Sequence, residues 1–549
     1  MSTRRRLNLP SPVSAAAVAT LTYLAIAIVQ LWQICRDTQF HFTYALDDPY
    51  IHLALAERMR HGLYGINAGE PASSASSILW PFLLLPFAGT RFYDFVPLIF
   101  NFVFGAMVAY LFGALLDRCY PPKKITLSQR GMVWLTAALM LLSTNLFGLT
   151  FMGLEHVLEL LLCIACGWLV VFALEGERIP LWCMASAALL PAVRYEGLLV
   201  TLAVVATLCV YRYLRQAAAV LIASLLPVVL FSLFLHHLGL PLLPLSVLVK
   251  GATITGSGDE SKVAHLFLVA QNALRDAFLQ PERGVILILA IIVLLLAIRM
   301  RRNLRAALTL LAVFCASMVQ LLFGPFGWSY RYEVYIIGFV LPILVAAYAG
   351  QWAAHADTST ERALNNPRPQ PAMLAAALCS LAWVYFNAFL CTPNSAQSIY
   401  RQQGQMARFT HDFYHGPVAI NDMGMVADHR SPDQYVLDFA ALGSYEVFRV
   451  SREQRTPQYY AETAHRHHVG LVMVYPEWIQ APDEWRPVAK LCEDDMRMGP
   501  ANRRTMMYAT RDSNMVEIMQ ALSAFRPTMP RGTTLDILPG DSGPDCTGS

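Results

Sequence analysis

Eleven apolar runs separated by short polar connections organise most of the chain, at about 12–34, 95–116, 130–150, 152–174, 180–193, 197–211, 216–238, 284–299, 306–323, 334–350 and 371–391. A helix needs about 20 mainly apolar residues to cross roughly 30 Å of hydrocarbon. Most of the runs approach that length, whereas 180–193 and 197–211 are short for two spans. Composition agrees, since 56% of the residues are hydrophobic and 14% are charged, against about 25% charged in soluble proteins. The pattern predicts a mainly α, polytopic transmembrane helix bundle of about 11 spans. A net charge of +3 is too small to imply a nucleic-acid partner, and the basic residues cluster at the ends of apolar runs.

Those basic residues set an orientation, because short cytoplasmic connections are enriched in Lys and Arg. With the N-terminus inside, the cytoplasmic connections carry Arg118, Lys123, Lys124, Arg130, Arg178, Arg212, Arg215, Arg299, Arg301, Arg302, Arg305, Arg362 and Arg368. The first run follows Arg4, Arg5 and Arg6 but is too long for the apolar core of a signal peptide, so it reads as a retained anchor. Eleven crossings then place the chain beyond about residue 392 outside. The division is a membrane domain over 1–391, with outer stretches at 36–94 and 239–283, and an extracytoplasmic domain over 392–549. Short apolar runs at Val418–Ile420, Val436–Phe439 and Val469–Tyr475, set among turn residues, predict that this tail is a small α/β domain. From about Met529 it is rich in Gly, Pro, Asp and Thr and reads as disordered. Cys163 and Cys166 sit inside an apolar run and read as small buried hydrophobes. Cys391, Cys492 and Cys546 leave a disulfide open in an oxidising compartment, without fixing the pair.

The most informative polar segment runs from Tyr44 through Asp47, Asp48 and Pro49 to Gly62. Pro49 suits the first turn of a helix and Gly62 its C-terminal end. Ile51, Leu55 and Met59 share one face, which predicts a short amphipathic helix on the membrane surface. Asp48 has an ordinary reading as the helix cap, but that leaves Asp47 unexplained. A carboxylate pair at a membrane boundary suits either proton abstraction from a hydroxyl or a divalent cation. Gly69-Glu-Pro-Ala-Ser-Ser-Ala-Ser-Ser-Ile-Leu-Trp-Pro81 follows, and a serine cluster between apolar runs is ordinarily a loop. The run His465, His467, His468 reads as an exposed face before it reads as a metal-ligand set. His429, Ser431 and Asp433 lack the nucleophile-elbow context of a hydrolase.

Asp-Asp-Pro-Tyr-Ile, then Gly-Glu-Pro, a serine-rich stretch and Leu-Trp-Pro resemble the first outer loop of C-type (GT-C) membrane glycosyltransferases. The nearest resemblance is to the branch holding bacterial arabinofuranosyltransferases. Further matches keep the family's order. Met152-Gly-Leu-Glu-His156 is similar to a small-Gly-Leu-Glu-Thr element, and Arg194-Tyr-Glu-Gly197 to Arg-Pro-Glu-Gly with Tyr195 replacing proline. Pro244-Leu-Ser-Val-Leu-Val-Lys250 is similar to Pro-Asn-Thr-x-x-Ala-Lys without its asparagine. Arg331-Tyr332 matches an Arg-Tyr pair before a late span, and Asn421-Asp-Met-Gly424 with Val436-Leu-Asp438 match a pattern in the tail. The resemblance covers about residues 12–445.

The resemblance implies a multi-pass enzyme of the bacterial inner membrane that takes a sugar from a polyprenyl-phosphate donor to a glycan, lipid or protein acceptor. It implies Asp47, with Asp48 beside it, as the general base. It implies Glu155, Arg194, Glu196, Lys250, Arg331 and Tyr332 as substrate-binding residues, the cations holding the donor phosphate. Such a donor carries its own leaving group, which agrees with the lack of a phosphate-cradling Gly-rich loop in the sequence. No cofactor is implied beyond the divalent cation that the acid pair leaves open. Two rivals compete: a transporter or flippase of lipid-linked sugars, and a structural subunit whose tail binds a partner. A transporter favours related halves with interrupted helices, and the sequence shows no convincing internal repeat.

Overall fold

The structure is a computed structural model that describes residues 13–249, 262–350, 370–494 and 499–538. Each of the eleven apolar runs is helical: α1 (Ala15–Asp37), α4 (Val96–Cys119), α5 (Leu127–Ser143) with α6 (Leu146–Phe151), α7 (His156–Glu175), α8 (Leu181–Val193), α9 (Leu198–Val210), α10 (Leu214–His237), α12 (Pro281–Arg299), α13 (Leu304–Phe323), α14 (Val334–Tyr348) and α15 (Pro371–Arg401). The connections add α2 (Asp48–Arg60), α3 (Leu79–Leu84) and α11 (Lys262–Asp276). Among the described residues seven helices are long and apolar enough to cross a membrane, and three shorter apolar helices accompany them. α7 is the axis of the bundle, its apolar stretch wholly buried, with α4, α8 and α14 packed around it. Local chemistry marks the helix starts. Asp117 of α4 accepts the amides of Ala15 and Ala16 at 2.8 and 3.0 Å, and Thr126 forms a capping box with Gln129 at the start of α5. The run 130–150 is two helices rather than one, because Asn145 turns left-handed (φ 48°) between α5 and α6.

α15 holds 31 residues, roughly 45 Å at about 1.5 Å per residue, longer than the hydrocarbon is thick. It runs on past residue 391 into α16 (Gln403–Asp412) and a C-terminal α/β domain. The three apolar runs of the tail become β1 (Val418–Ile420), β2 (Val436–Asp438) and β3 (Leu471–Val474), paired in parallel with β1 central. β4 (Arg486–Glu493), β5 (Arg504–Ala509) and β6 (Thr533–Ile537) complete the sheet antiparallel, in the order β2-β1-β3-β5-β4-β6. Four helices flank it: α17 (Gly424–Asp428), α18 (Tyr445–Phe448), α19 (Pro457–Arg466) and α20 (Asp512–Phe525). The expected disorder beyond Met529 does not hold for 533–537, which pair with β4 from Ala489 to Glu493; residues 539–549 lie outside the described residues. Cys492 is disulfide-bonded and the Cys391 thiol donates to Asn387 Oδ1 at 3.6 Å, while Cys546 lies outside the described residues.

The connection between α1 and α4 is welded to the C-terminal domain. Asn67 donates to the Val436 carbonyl and accepts its amide, both at 2.9 Å, pairing the loop with β2 as another strand would. The buried Arg58 of α2 donates to the carbonyls of Ala427 and Arg430 at the end of α17, at 3.1 and 2.5 Å. Tyr435 donates to Glu70 at 2.8 Å. α2 therefore does not lie free as a surface helix. Pro49 through Ala56 are buried without a break, because the C-terminal domain covers the side that the amphipathic pattern assigns to water.

Candidate functional site

Asp47 and Asp48 stand at the start of α2, where Pro49 lies in the first turn and Asp47 occupies the cap position without making a side-chain cap bond. Consecutive residues entering a helix point in different directions, so the carboxylates diverge. Asp48, which has a capping alternative by sequence, instead meets Arg331 Nη2 at 2.7 Å and keeps its side chain 27% exposed. Asp47 is buried against the C-terminal domain, accepting the amides of Gly424 at 2.5 Å and Met425 at 2.9 Å. Burial is the largest influence on Asp47 and pushes its carboxyl up to about 6 against the opposing pull of those two amides.

Arg331 is presented by a tight turn in which Trp328, Ser329 and Tyr330 all have positive φ, a backbone that such residues adopt only under constraint. Asn145 supplies the constraint, donating to the carbonyls of Ser329 and Tyr330 at 3.0 and 3.1 Å. The left-handed break between α5 and α6 thus fixes the arginine loop. Arg331 is 2% exposed. Its Nη2 also donates to the Tyr332 hydroxyl at 2.9 Å, while its Nε and Nη1 find no hydrogen-bond partner among the described residues. Buried donors left unpaired cost free energy, and a guanidinium in that state suits an incoming anion.

Arg194 closes the other side. Extended backbone at Arg194 (φ −150°, ψ 140°) ends α8, and a short turn at Tyr195–Gly197 starts α9. This break turns the guanidinium inward against three carboxylates: Glu155 at 2.8 Å, Glu196 at 2.9 Å and Glu159 at 3.6 Å. His156 lies 3.4 Å from Arg194 and 3.2 Å from Glu159. Glu155 also accepts from Ser76 at 3.0 Å and lies 3.8 Å from His52 of α2. The serine-rich loop is hence a scaffold. Ser73 accepts the Leu245 amide at 3.0 Å and Ser246 donates to the Ala75 carbonyl at 2.8 Å, tying the Pro244-Leu-Ser246 element to it. Gly153 lets the loop before Glu155 approach, since its φ is +67° and any Cβ there would press on Tyr44 and Pro49.

One ring joins the two halves. The guanidinium of Arg331 sits 4.9 Å from the centre of the Tyr332 ring and that of Arg194 5.7 Å from it. Asp48, Arg331, Tyr332, Arg194, Glu196 and Glu155 therefore form one neighbourhood, with Asp47 turned away from it toward α17. Lys250 lies outside the described residues. The two cations differ in kind, because Arg194 is saturated by carboxylates and Arg331 is not. Sequence reasoning passed over Glu159, which an ionisable residue one turn inside an apolar helix could have flagged, and also Arg58 and Asn67, for which periodicity gives no signal. Among the described residues no group of three or more His, Cys, Asp or Glu is arranged to hold a metal ion.

A family described as a domain of unknown function (DUF8728) matches residues 396–512, the end of α15 and most of the C-terminal domain. No curated protein matches the chain. Among solved structures the chain is similar to the crystal structure of ArnT from Cupriavidus metallidurans in the apo state, with 12% sequence identity and a TM-score of 0.47, covering 91% of this chain and 99% of that one.

Proposed function

We propose that this protein is a multi-pass membrane glycosyltransferase, similar to the arabinofuranosyltransferase-like branch of the GT-C family. In this reading it moves a sugar from a polyprenyl-phosphate donor to a glycan, lipid or protein acceptor on the extracytoplasmic side. The observation that carries the reading is the partly exposed Asp48 carboxylate held against a buried arginine with two unpaired donors. Arg331 takes the donor phosphate through Nε and Nη1. The acceptor hydroxyl oxygen then bonds to the anomeric carbon as the bond from that carbon to the phosphate oxygen breaks. Polyprenyl phosphate departs with the electron pair, stabilised by Arg331. The acceptor proton passes to a carboxylate.

The resemblance implies Asp47 as the general base, and this reading moves that role to its neighbour. Asp48 is the base, since it alone faces Arg331 and the partly exposed side. Asp47 sets its position through α17. Arg194 holds Glu155 and Glu196 in place, and Lys250 remains a candidate for the phosphate. A radiolabelled polyprenyl-phosphate sugar, incubated with membranes carrying wild-type or Asp48→Asn protein, tests the reading. Wild type releases polyprenyl phosphate and labels an acceptor, and the variant does neither. Equal turnover by a well-expressed variant removes Asp48 from the mechanism.

A further inference from the structure

The parallel strands give the C-terminal domain a topological switch point. From the central β1 the chain passes through α17 to β2 on one side, then through α18 and α19 to β3 on the other. Open α/β sheets bind ligands at the carboxyl ends of the strands flanking such a reversal, here β1 and β3. Asn421 and Asp422 follow β1 there, Tyr475 and Trp478 follow β3, and Gln403 joins them from α16. Asn421 accepts the Tyr475 amide at 2.8 Å, which locks the two strand ends together. Gln403 donates to Asp422 Oδ2 at 2.7 Å and to the Tyr475 hydroxyl at 2.8 Å. Gln403 and Asn421 are 0% and 4% exposed, yet Gln403 Oε1 and Asn421 Nδ2 find no hydrogen-bond partner among the described residues. Such atoms are costly to bury unpaired. The end of β2 differs, since Asp438 spends both carboxylate oxygens on the amides of Ala440, Leu442 and Gly443 in its own loop.

One unpaired acceptor and one unpaired donor match a hydroxyl, which both donates and accepts, rather than an anion, which only accepts. Charge points the same way. Asp422 is half-buried and brings a carboxylate to the site, and Glu477 occupies the nearby Arg504 at 2.9 Å. Trp478 supplies an apolar face. Its ring meets the buried Tyr475 ring edge-on at 5.3 Å, yet Trp478 is 47% exposed; beyond residue 392 the only other large apolar side chain so open among the described residues is Val516. An open indole beside amides and a carboxylate suits a ring with one apolar C–H face and a rim of hydroxyls. We propose that the carboxyl ends of β1 and β3 form a saccharide subsite holding a neutral sugar unit of the acceptor. Trp478 stacks on its C–H face, and Asp422, Gln403 and Asn421 bond its hydroxyls. The subsite rests on the transfer reading above and narrows its acceptor to a glycan. Asp422 stands two residues before Gly424, whose amide Asp47 accepts at 2.5 Å, so the glycan is anchored beside the joint that presents Asp48.

Fluorescence polarisation of the full chain in detergent tests the subsite, using labelled neutral tetrasaccharides of glucose, mannose, galactose and arabinose and a sulfated tetrasaccharide as the charged control. Hydrogen exchange locates the contact. At least one neutral tetrasaccharide should bind more tightly than the sulfated one and raise amide protection at 421–424 and 475–478. Trp478→Ala should weaken that binding by about tenfold or more, with Trp478→Phe keeping part of it. Gln403→Met, which keeps the length of the side chain and removes its carboxamide, should weaken it as well; if that variant does not fold, the two Trp478 variants decide alone. Binding of no neutral tetrasaccharide, preference for the sulfated one, protection confined to other segments, or affinity unchanged in Trp478→Ala overturns the subsite. In the transfer assay Trp478→Ala should raise KM for the glycan acceptor and leave KM for the donor unchanged. A raised donor KM alone would assign the sugar to the donor and overturn the acceptor subsite. Saccharide binding that needs Trp478, in a protein that cleaves no polyprenyl-phosphate sugar, counts against the proposed function only; transfer by a protein that binds no saccharide counts against the subsite only.

Discussion

A carboxylate bonded to an arginine is a weak base until the arginine finds another anion. Donor phosphate at Arg331 would supply that anion and free Asp48 as the acceptor arrives, which couples base strength to donor binding. Asp48→Asn should lower transfer by about 10²- to 10⁴-fold, the range for a positioned acid–base group, with the melting temperature little changed because the side chain is partly exposed. Arg331→Lys should lower donor turnover by roughly 10²-fold or more, since an ammonium cannot reproduce a planar fork with one donor on Asp48 and two for phosphate. Steady-state kinetics with labelled donor measure both. Asp47→Asn should also abolish transfer, but through position. An Asn amide nitrogen facing the Gly424 or Met425 N–H leaves a buried donor unpaired, at about 1–3 kcal/mol. A loss of transfer without any loss of protection at these amides would contradict that account.

At the level of elements, the contact between α2 and α17 is the joint on which the site depends. Gly424 has no room for a side chain, because a Cβ there would strike the Asp47 backbone carbonyl. Gly424→Ala should therefore open the joint and lower the melting temperature, while Gly131→Ala, where nothing lies within 4 Å, serves as the control in the same thermal-shift measurement. The sequence shows much of this architecture. Apolar runs mark the helices of the bundle, and the short runs at Val418–Ile420 and Val436–Asp438 mark two of the parallel strands. The divergence of Asp47 from Asp48 is not legible, because it depends on a domain some 370 residues away that covers one side of α2. Period and amphipathicity describe a helix against water or lipid, so they read α2 as a surface helix. For the same reason Arg58 reads as solvent-facing, although its guanidinium bonds the end of α17. The charge balance around Arg194 is hidden likewise, since Glu159 looks like an isolated charge in an apolar run until Arg194 is seen beside it.

Across the whole molecule, the charged motifs from α2, the α7 and α8–α9 boundaries and the loop before α14 gather at the end of the bundle that carries the sheet domain. That arrangement agrees with chemistry on the side where lipid-linked rather than nucleotide-linked sugars are the donors, provided the basic connections face the cytoplasm. A phosphatase reporter fused after residue 400 should be active and a cytoplasmic reporter there inactive; the opposite result reverses the topology and removes the proposed substrate from the site. The central claim is that Asp48 and Arg331 transfer a sugar from a polyprenyl-phosphate donor. The most direct measurement follows a polyprenyl-phosphate sugar, labelled in both lipid and sugar, through purified full-length protein supplied with membrane glycan and lipid acceptors. The account predicts release of polyprenyl phosphate matched by label in an acceptor, lost in both Asp48→Asn and Arg331→Lys. Movement of intact donor across the bilayer without cleavage, or turnover indifferent to both substitutions, would contradict it.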